Sequence, residues 1–383
     1  MIDILSNQVI QIEDLLNRIG DKLQLNKTRR ETIEKSYSTI ARLFDNDDGL
    51  FKGVAVDIYP QGSYRIGTTV RPIHQNEYDL DFVLQPQMLW REGLNPLEVL
   101  KHVQSRIVLS KEYENKTEIL KRCVRINYTD YHMDILPAFP ERYIQNLSVK
   151  VPDKKLKDWK DSCPKGYAKW FELRCLQRKH IALEKMAKIE PLPQEMPYEF
   201  KEPLQRAVQI IKRSRDIFFE DKPDFSPISI ILTTLAAKYY DGESTAFEAV
   251  CNIVEQINCE IQKTVGVMEV YNPINENEKF SEKWDNNNFL YKAFKDFMQY
   301  LKEQFINLKN ARGIAQVNQI LKQLLGETLS EEAINEQAFY VNKSRNNQSL
   351  GIVKPAAALT IISPGSFDKE SVQPIRKHNF YGV

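Results

Sequence analysis

Apolar residues near the start of the chain recur at intervals of three and four residues. The first repeat consists of Leu5, Val9, Ile12, Leu16, Ile19 and Leu23. This spacing predicts a long amphipathic helix with one buried face. A second repeat consists of Ile33, Tyr37, Ile40 and Phe44, and it ends before the turn-forming sequence DNDDG at 45–49. We therefore expect two helices ahead of the first turn.

The hydrophobic period changes to two between residues 54 and 140. The alternating segments are VAVDIY at 54–59, YDLDFVL at 78–84, VRINYT at 124–129 and HMDILPAF at 132–139. Alternation of this kind is typical of β-strands with one buried face. Residues 96–120 have a helical composition. This part of the chain predicts a mixed sheet with covering helices.

The pattern beyond residue 200 is again helical. Long helical segments occur at 204–219 and 226–240, after a proline-rich stretch at 189–203 that predicts a connection between two lobes. A polar stretch at 342–349 leads into a proline-containing tail. The fold class that we predict is α+β and bilobal. Its regions are the N-terminal helices and sheet at 1–190, a helical lobe at 191–341, and a polar linker and C-terminal tail at 342–383.

Charge and composition exclude several classes of protein. The chain of 383 residues has 53 Lys and Arg against 52 Asp and Glu, so its net charge of +1 gives no overall attraction to nucleic acids or anionic membranes. Its 42% hydrophobic content is well above that of disordered chains. The apolar run at 227–237 is too short to cross a bilayer, and the acidic start is unlike a signal peptide. We expect a cytoplasmic protein.

The five cysteines favour reduced thiols over disulfides, because their number is odd and no CxxC pair occurs. Cys163, Cys175 and His180 offer three zinc-binding side chains. A structural zinc site needs a fourth ligand and compact spacing, which the sequence lacks. We therefore favour a role for these residues that involves no metal.

Three aspartates stand out among the predicted strands. Asp79 and Asp81 lie two residues apart in one strand, so both carboxylates leave the same face of the sheet. Asp134 lies in another strand and completes a cluster if the two strands are neighbours. Three carboxylates that converge without basic partners repel one another, and a bound cation is their natural neutraliser. Mg²⁺ fits, because it prefers carboxylate and phosphate oxygens.

A short turn precedes this acidic pair. Gln61, Gly62 and Ser63 follow a predicted strand and stand before a predicted helix start. Gly62 lets the backbone approach a phosphate closely, while Ser63 and nearby N–H groups can donate hydrogen bonds to its oxygens. An isolated Asp-x-Asp pair is more typical of a protein surface. Its combination with the Gly-Ser turn and a third acid is a strong signal for a metal and phosphate site.

The arrangement Gly-Ser, Asp-x-Asp and third Asp resembles the nucleotidyltransferase superfamily built on the DNA polymerase β palm. Further segments are similar to the bacterial cyclic GMP-AMP synthase/DncV-like nucleotidyltransferases (CD-NTases) of CBASS antiphage systems. These segments are YPQGSYRIGTTVRP, YDLDFVL, SCPKGYAKWF, LQRAVQIIKRSRD, SPISIILTTLAA, NPINENEKFSEKW and KHNFYG. The similarity extends from about residue 50 to the end of the chain. It implies a polymerase-β-like core joined to a helical lobe like that of oligoadenylate synthases.

The resemblance implies an enzyme that makes a cyclic di- or trinucleotide from NTPs, with ATP among them. Asp79, Asp81 and Asp134 would be catalytic and would bind two Mg²⁺ ions, or Mn²⁺ in their place. Lys212 and Ser229 match the lysine and serine by which the helical lobe holds the donor triphosphate. Partners implied by the family are a CBASS effector reached through the product and a regulator or conjugating protein at the C-terminus. Asn272, Asn275 and Lys283 also match the family.

Two other functions are compatible with the same acids. A template-independent RNA or tRNA nucleotidyltransferase would share them, but it needs a basic track for its polynucleotide, which the balanced charge argues against. A non-catalytic nucleotide-binding scaffold would have no need for three acids and the Gly-Ser turn. Both alternatives stay open at the level of the sequence.

Overall fold

The computed structural model of the protein describes most of the chain. The described residues are 2–25, 27–45, 47–73, 77–141, 147–155, 157–176, 201–346, 350–353, 358–361 and 372–374. The predicted connection at 189–203 and the end of the tail therefore lie largely outside them, as does His180. The division at residue 190 stays a prediction for the same reason.

A five-stranded mixed sheet forms the centre of the N-terminal half. Its strands, in spatial order, are β1 (Val56–Pro60), β2 (Tyr78–Pro86), β5 (Tyr131–Pro137), β4 (Val124–Asn127) and β3 (Thr117–Ile119). β2 and β5 run parallel, and the other neighbours run antiparallel. The helices of this half are α1 (Ile2–Lys22), α2 (Lys27–Phe44), α3 (Gly62–Arg65), α4 (Pro96–Ile107) and α5 (Pro164–Cys175). The predicted mixed sheet with covering helices is confirmed.

A second, smaller sheet lies between the main sheet and α5 along the chain. It contains β6 (Phe139–Pro140), β7 (Val149–Asp153) and β8 (Asp158–Ser162) in that order, with antiparallel neighbours. The apolar residues Val149 and Val151 of β7 pack with Val83 of β2 in a small buried cluster. The small sheet is thereby fixed to the main sheet.

The rest of the described chain is helical apart from short strands. Its helices are α6 (Pro203–Phe218), α7 (Ser229–Tyr239), α8 (Ala246–Lys263), α9 (Glu282–Asn286), α10 (Asn288–Asn310), α11 (Ile314–Leu325) and α12 (Glu327–Asn346). A 3-10 turn at Pro223–Phe225 lies between α6 and α7. β9 (Tyr271–Asn272) and β10 (Asn275–Lys279) form a hairpin, and β12 (Ala358–Ile361), β11 (Leu350–Val353) and β13 (Val372–Pro374) form a terminal sheet.

Two large hydrophobic cores correspond to the sheet and the helical part. The α2 residues Ile33, Ile40 and Phe44 are buried against the sheet. The α1 residues Ile12 and Leu16, in contrast, are buried in the core of the helical part. α1 therefore packs with the C-terminal helices although it belongs to the region 1–190 that we group with the sheet. None of the helices in the described part of the chain is long and apolar enough to cross a membrane.

Candidate active site

The three predicted acids meet on the parallel strand pair. β2 and β5 are in a register that sets Asp81 opposite Asp134 and Asp79 opposite His132. One carboxylate oxygen of each aspartate lies within 4.8 Å of those of the other two. Asp79 is exposed, Asp81 is half-buried and Asp134 is buried. The strand pairing thus completes the cluster that the sequence predicts, and all of its ligand atoms are oxygens.

Two of the three acids have a basic partner in Arg125. Arg125 lies opposite Asp134 on β4 and donates from Nε to Oδ1 (2.7 Å) and from Nη2 to Oδ2 (2.8 Å). The same Nη2 lies 3.5 Å from Oδ1 of Asp79. Such bidentate pairing orients the planar carboxylate as well as neutralising it. The sequence separates Arg125 and Asp134 by a turn, and only the strand register shows that they face each other.

His132 is a second basic neighbour of the acids. Its Nε2 lies 3.1 Å from Oδ1 of Asp79, and its Nδ1 lies 3.2 Å from Oε2 of Glu77. The hydrogen bond with Asp79 is the main cause that raises the pKa of His132. Burial works to raise the pKa of Asp79, but the hydrogen bond from His132 and the nearby positive charges leave it below its usual value. Asp79 is therefore anionic and fixed in orientation.

Asp81 has a different environment. No hydrogen bond among the described residues reaches its carboxylate. Burial, together with the negative charges of Asp79 and Asp134, raises its pKa to about 7. A carboxylate without donors and beside two like charges is stabilised by a divalent cation. The donor set fits Mg²⁺ for this reason, with oxygen ligands only and one acid left without a protein partner.

The Gly-Ser turn lies against these acids. Gly62 has a φ of +59°, and a Cβ at this position would overlap Oδ2 of Asp81. The backbone N–H of Gln61 donates to the Asp81 carbonyl oxygen at 2.8 Å. Ser63 follows, and its hydroxyl lies 3.4 Å from that of Thr69. Glycine is therefore required both by the left-handed backbone and by the contact with the acid.

Lys212 and Ser229 approach the same place from the helical part. Lys212 on α6 is buried, and its Nζ donates to the Thr68 carbonyl oxygen at 3.0 Å. Burial, and secondarily the charge of Arg215, lowers the pKa of Lys212 to about 8. Ser229 begins α7, and its Oγ accepts a hydrogen bond of 2.8 Å from Nη1 of Arg215. Both residues line one cavity with Ser63, Asp79 and Asp81.

This first cavity has a volume of about 370 Å³ and adjoins a second one of about 620 Å³. The two cavities share five lining residues, namely Gly62, Ile66, Asp81, Tyr167 and Ile230. Gln61 lines the second cavity, as do Asn272 and Lys283. Asp81 therefore lies at the boundary between two compartments, each large enough to hold part of a nucleotide.

Several residues of these cavities are absent from the sequence-based prediction. Arg215 lines the first cavity, and Glu278 lines the second. Arg215 could be found from its spacing, because residues three apart share a helix face and Lys212 is three residues before it. Nothing in the local sequence distinguishes Glu278 from its many acidic neighbours. Of the three side chains that could bind zinc, Cys163 and Cys175 are buried and form no disulfide among the described residues.

The chain is similar to known proteins in sequence. A family model described as Second Messenger Oligonucleotide or Dinucleotide Synthetase domain matches residues 10–174. A protein of Roseivirga ehrenbergii named c-di-GMP synthase is 34% identical over 382 residues, which is 99% of both chains.

Solved structures also resemble the protein. The CD-NTase CdnG of Bradyrhizobium diazoefficiens in complex with GTP superimposes with a TM-score of 0.68 at 20% identity, over 86% of this chain and 99% of that one. The CdnC:HORMA-deltaN complex of E. coli MS115-1 gives a TM-score of 0.58 at 13% identity, over 82% and 96% of the two chains. At these identities the likeness shows a shared fold.

Proposed function

The chain belongs to the family of second messenger oligonucleotide or dinucleotide synthetases, the CD-NTases, and we propose that it joins two molecules of GTP into a cyclic dinucleotide. The observation that carries this proposal is the cluster of Asp79, Asp81 and Asp134 at the boundary of two cavities. The identity of 34% with a c-di-GMP synthase over nearly the whole chain favours GTP over the ATP that the sequence resemblance places among the substrates.

The two cavities suit the two nucleotides of one transfer step. Lys212, Arg215 and Ser63 would bind the triphosphate of the donor in the smaller cavity, since cations and hydroxyl groups are suitable partners for phosphate oxygens. The acceptor nucleotide would occupy the larger cavity and present a ribose hydroxyl at the boundary. The hydroxyl oxygen forms a bond to the donor α-phosphorus, pyrophosphate leaves with the electrons of the broken bond, and the hydroxyl proton passes to solvent. A second step of the same kind closes the ring.

Asp79, Asp81 and Asp134 would hold two divalent cations, with Mg²⁺ as the first choice. Bound cations of this kind acidify the acceptor hydroxyl and neutralise the charge on the triphosphate and the leaving pyrophosphate. The chain's own contribution is positional. Arg125 and His132 fix two of the carboxylates, and the lack of a Cβ at Gly62 lets the Gly-Ser turn lie against the third. Positioning and charge stabilisation supply most of the catalysis in such reactions.

The biological setting follows from family membership. We propose that the protein acts in the cytoplasm in antiphage signalling of the CBASS type, where its product activates an effector. One structural relative is solved with a HORMA protein. For this chain, we expect a regulator or a conjugating protein at the C-terminus. The last nine residues of the chain lie outside the described part.

Purified protein incubated with the four NTPs and Mg²⁺ or Mn²⁺ tests the proposal. After phosphatase treatment, mass spectrometry should detect a product that contains two guanines and lacks terminal phosphates. A double variant with D79N and D81N should make none, because both substitutions remove anionic ligands. Extension of added RNA without a cyclic product would instead support the RNA nucleotidyltransferase. A double variant that keeps the biological function of the wild type would support the scaffold.

A further inference from the structure

The acidic residues of the larger cavity differ in their partners. Besides Asp81, three acids line it, which are Asp161, Glu278 and Glu282. Asp161 pairs with Lys150 at 2.8 Å, and Glu282 pairs with Lys160 at 3.1 Å. Glu278 has no salt bridge to any described residue. It is thus a cavity carboxylate without direct contact to any lysine or arginine of the described residues, although the charge of Arg122 acts on it from a distance.

Neutral groups hold the Glu278 side chain in place. Its Oε2 accepts a hydrogen bond of 2.7 Å from Nδ2 of Asn272, and its Oε1 accepts one of 3.1 Å from Oγ of Ser162. Asn272 is only 2% exposed. Its own Oδ1 accepts from the Ile274 N–H at 3.0 Å and so shapes the turn of the β9–β10 hairpin. The carboxylate is therefore fixed between two rigid elements, the hairpin and the end of β8.

This geometry leaves Glu278 with acceptor capacity toward the cavity. Each carboxylate oxygen has two acceptor sites; Ser162 and Asn272 use one on each oxygen, and the backbone N–H of Cys163 is a third neutral donor beside the carboxylate. Burial raises the pKa of Glu278, although the hydrogen bonds from Asn272, Ser162 and the Cys163 backbone act to lower it. A half-buried acceptor pair of this kind favours a ligand that offers two adjacent N–H donors, because an unmatched donor or acceptor is costly.

Guanine is the nucleobase that satisfies this requirement. Its N1–H and its N2 amino group point in the same direction on one edge and match the two oxygens of a carboxylate. Adenine and cytosine place a ring acceptor next to their amino group, and uracil places its single N–H between two carbonyl groups. The carboxylate would repel these acceptor atoms. Since nucleobases are distinguished by such donor and acceptor patterns, a carboxylate in this position specifies guanine.

We propose that Glu278 reads the guanine base of the acceptor nucleotide, an inference that rests on the proposed dinucleotide synthesis. The same cavity supplies groups for the rest of that nucleotide. Lys121 and Lys283 line it and can attract a triphosphate. Asp81 lines it as well, beside the expected position of the reacting hydroxyl. Glu278 is in this sense a specificity-determining residue, while the acids of the metal cluster are catalytic.

A nucleotide analogue that can act only as the acceptor tests this role of Glu278. An α,β-methylene nucleoside triphosphate cannot be attacked at its α-phosphorus with loss of pyrophosphate, so it can act only as the acceptor. The wild-type protein receives GTP as donor, Mg²⁺, and equal amounts of α,β-methylene GTP and α,β-methylene ATP. Mass spectrometry then measures the ratio of the two linear dinucleotides that retain the methylene group. We expect the guanine product to predominate.

The variant E278Q should change this ratio. Glutamine replaces one acceptor oxygen by an amino group, which clashes with guanine but can pair with the N6 amino group and N1 of adenine. We expect the guanine-to-adenine ratio to fall roughly ten- to a hundred-fold, the range that a bidentate base contact provides. The yield of the adenine product should rise in absolute terms. Damage to the hairpin alone would lower both products together and leave the ratio unchanged.

Glu276 provides a matched control, because it is exposed on the same strand and does not line the cavity. E276Q should keep the wild-type ratio. A second measurement needs no variant. α,β-methylene ITP lacks the N2 amino group, so the wild type should use it less well than α,β-methylene GTP. Equal use of these two acceptors, or an unchanged ratio in E278Q, would overturn the role of Glu278. Absence of any dinucleotide from the wild type would instead contradict the proposed function itself.

Discussion

Among individual residues, Asp81 has the least favourable electrostatic environment in the candidate site. Its pKa in the folded protein is about 7, above the ordinary value of 3.8, because of burial and two neighbouring carboxylates. The folded state therefore binds a proton that the unfolded state has already lost. This contribution to stability is complete below about pH 4 and is lost as the pH rises through 7.

We predict that the melting temperature of the metal-free protein falls between pH 4 and pH 7 more steeply than that of D81N. Differential scanning fluorimetry in a chelator measures both curves. Added Mg²⁺ should raise the melting temperature of the wild type at pH 7.5, because the cation binds the ionised carboxylate in the folded state. D81N should show little of this rise. Parallel pH curves for the two proteins would contradict the electrostatic account of Asp81.

Arg125 acts through the acids that it contacts. Replacement by lysine keeps the positive charge but removes the paired hydrogen bonds to Asp134. For R125K we predict that the Mg²⁺ concentration needed for half-maximal activity rises about 10- to 100-fold, as for other residues that orient metal ligands. Initial rates over a range of Mg²⁺ concentrations provide the measurement.

Arg106 provides the matched control for this prediction. It makes an ion pair with Asp47 at 3.1 Å, between α4 and the turn after α2. R106K should lower the melting temperature and leave the Mg²⁺ requirement unchanged. If R125K shows the same Mg²⁺ dependence as the wild type, the bidentate pair has no role in orienting Asp134.

At the scale of elements, the short helix α3 depends on the glycine at its start. The variant G62A combines a strained positive φ with an overlap between the new methyl group and Asp81 Oδ2. Gly53 also has a positive φ of +72°, but a Cβ there would meet no atom within 4 Å. G53A thus isolates the backbone strain, which costs about 1–2 kcal/mol.

Both alanine variants should melt at lower temperature than the wild type. G62A should in addition lose nearly all synthesis, because the displaced carboxylate no longer forms the cluster with Asp79 and Asp134. G53A should retain the rate of the wild type at a temperature where it is folded. Product formation at 25 °C and thermal melts distinguish the two effects. A G62A protein with normal activity would show that the contact with Asp81 is dispensable.

The elements also show how far the sequence predicts the fold and the site. The alternating patterns identify β2 and β5, and the Asp-x-Asp spacing identifies their common face. The register between β2 and β5 depends on contacts distant in sequence, so the meeting of Asp81 with Asp134 could only be stated as a condition. Arg125 and Asp134 are nine residues apart and meet through the local turn between β4 and β5, a pairing that we did not predict from the sequence. Amphipathicity shows that α1 has a buried face but not which core receives it. The partners of Glu278 are Ser162 on β8 and Asn272 on the β9–β10 hairpin. These elements are more than 100 residues apart, and nothing in the sequence indicates that they meet.

At the scale of the whole molecule, α6 joins the sheet to the helical part. Its polar side chains donate to backbone carbonyls in the segment that follows the Gly-Ser turn. Gln205 donates to Ile66 at 2.9 Å, Gln209 to Thr69 at 2.7 Å and Lys212 to Thr68 at 3.0 Å. Because that segment also lines the smaller cavity, the position of α6 determines the shape of the expected triphosphate site.

Substitutions on α6 should separate its role in joining the two parts from its role in binding the triphosphate. Q209L leaves the buried Thr69 carbonyl oxygen without its donor, at a cost of about 1–3 kcal/mol in the free energy of unfolding, with little change in KM for GTP. K212M removes a charged donor to phosphate, and we predict that it raises this KM roughly 10- to 100-fold. Chemical denaturation and steady-state kinetics measure the two quantities. Equal effects of both variants on KM would mean that Lys212 joins the sheet to the helical part and does not bind the triphosphate.

The lowered pKa of Lys212 should make KM for GTP depend on pH. In the nucleotide-free protein the pKa is lowered to about 8, so the amine loses its charge as the pH rises above 8. Binding of a triphosphate favours the protonated amine, and above this pH it must therefore take up a proton. KM for GTP in the wild type should accordingly rise between pH 8 and pH 9.5. K212M lacks the titrating group and should show a higher KM that changes less over the same interval. A parallel rise in both proteins would assign the titration to another group of the cavity.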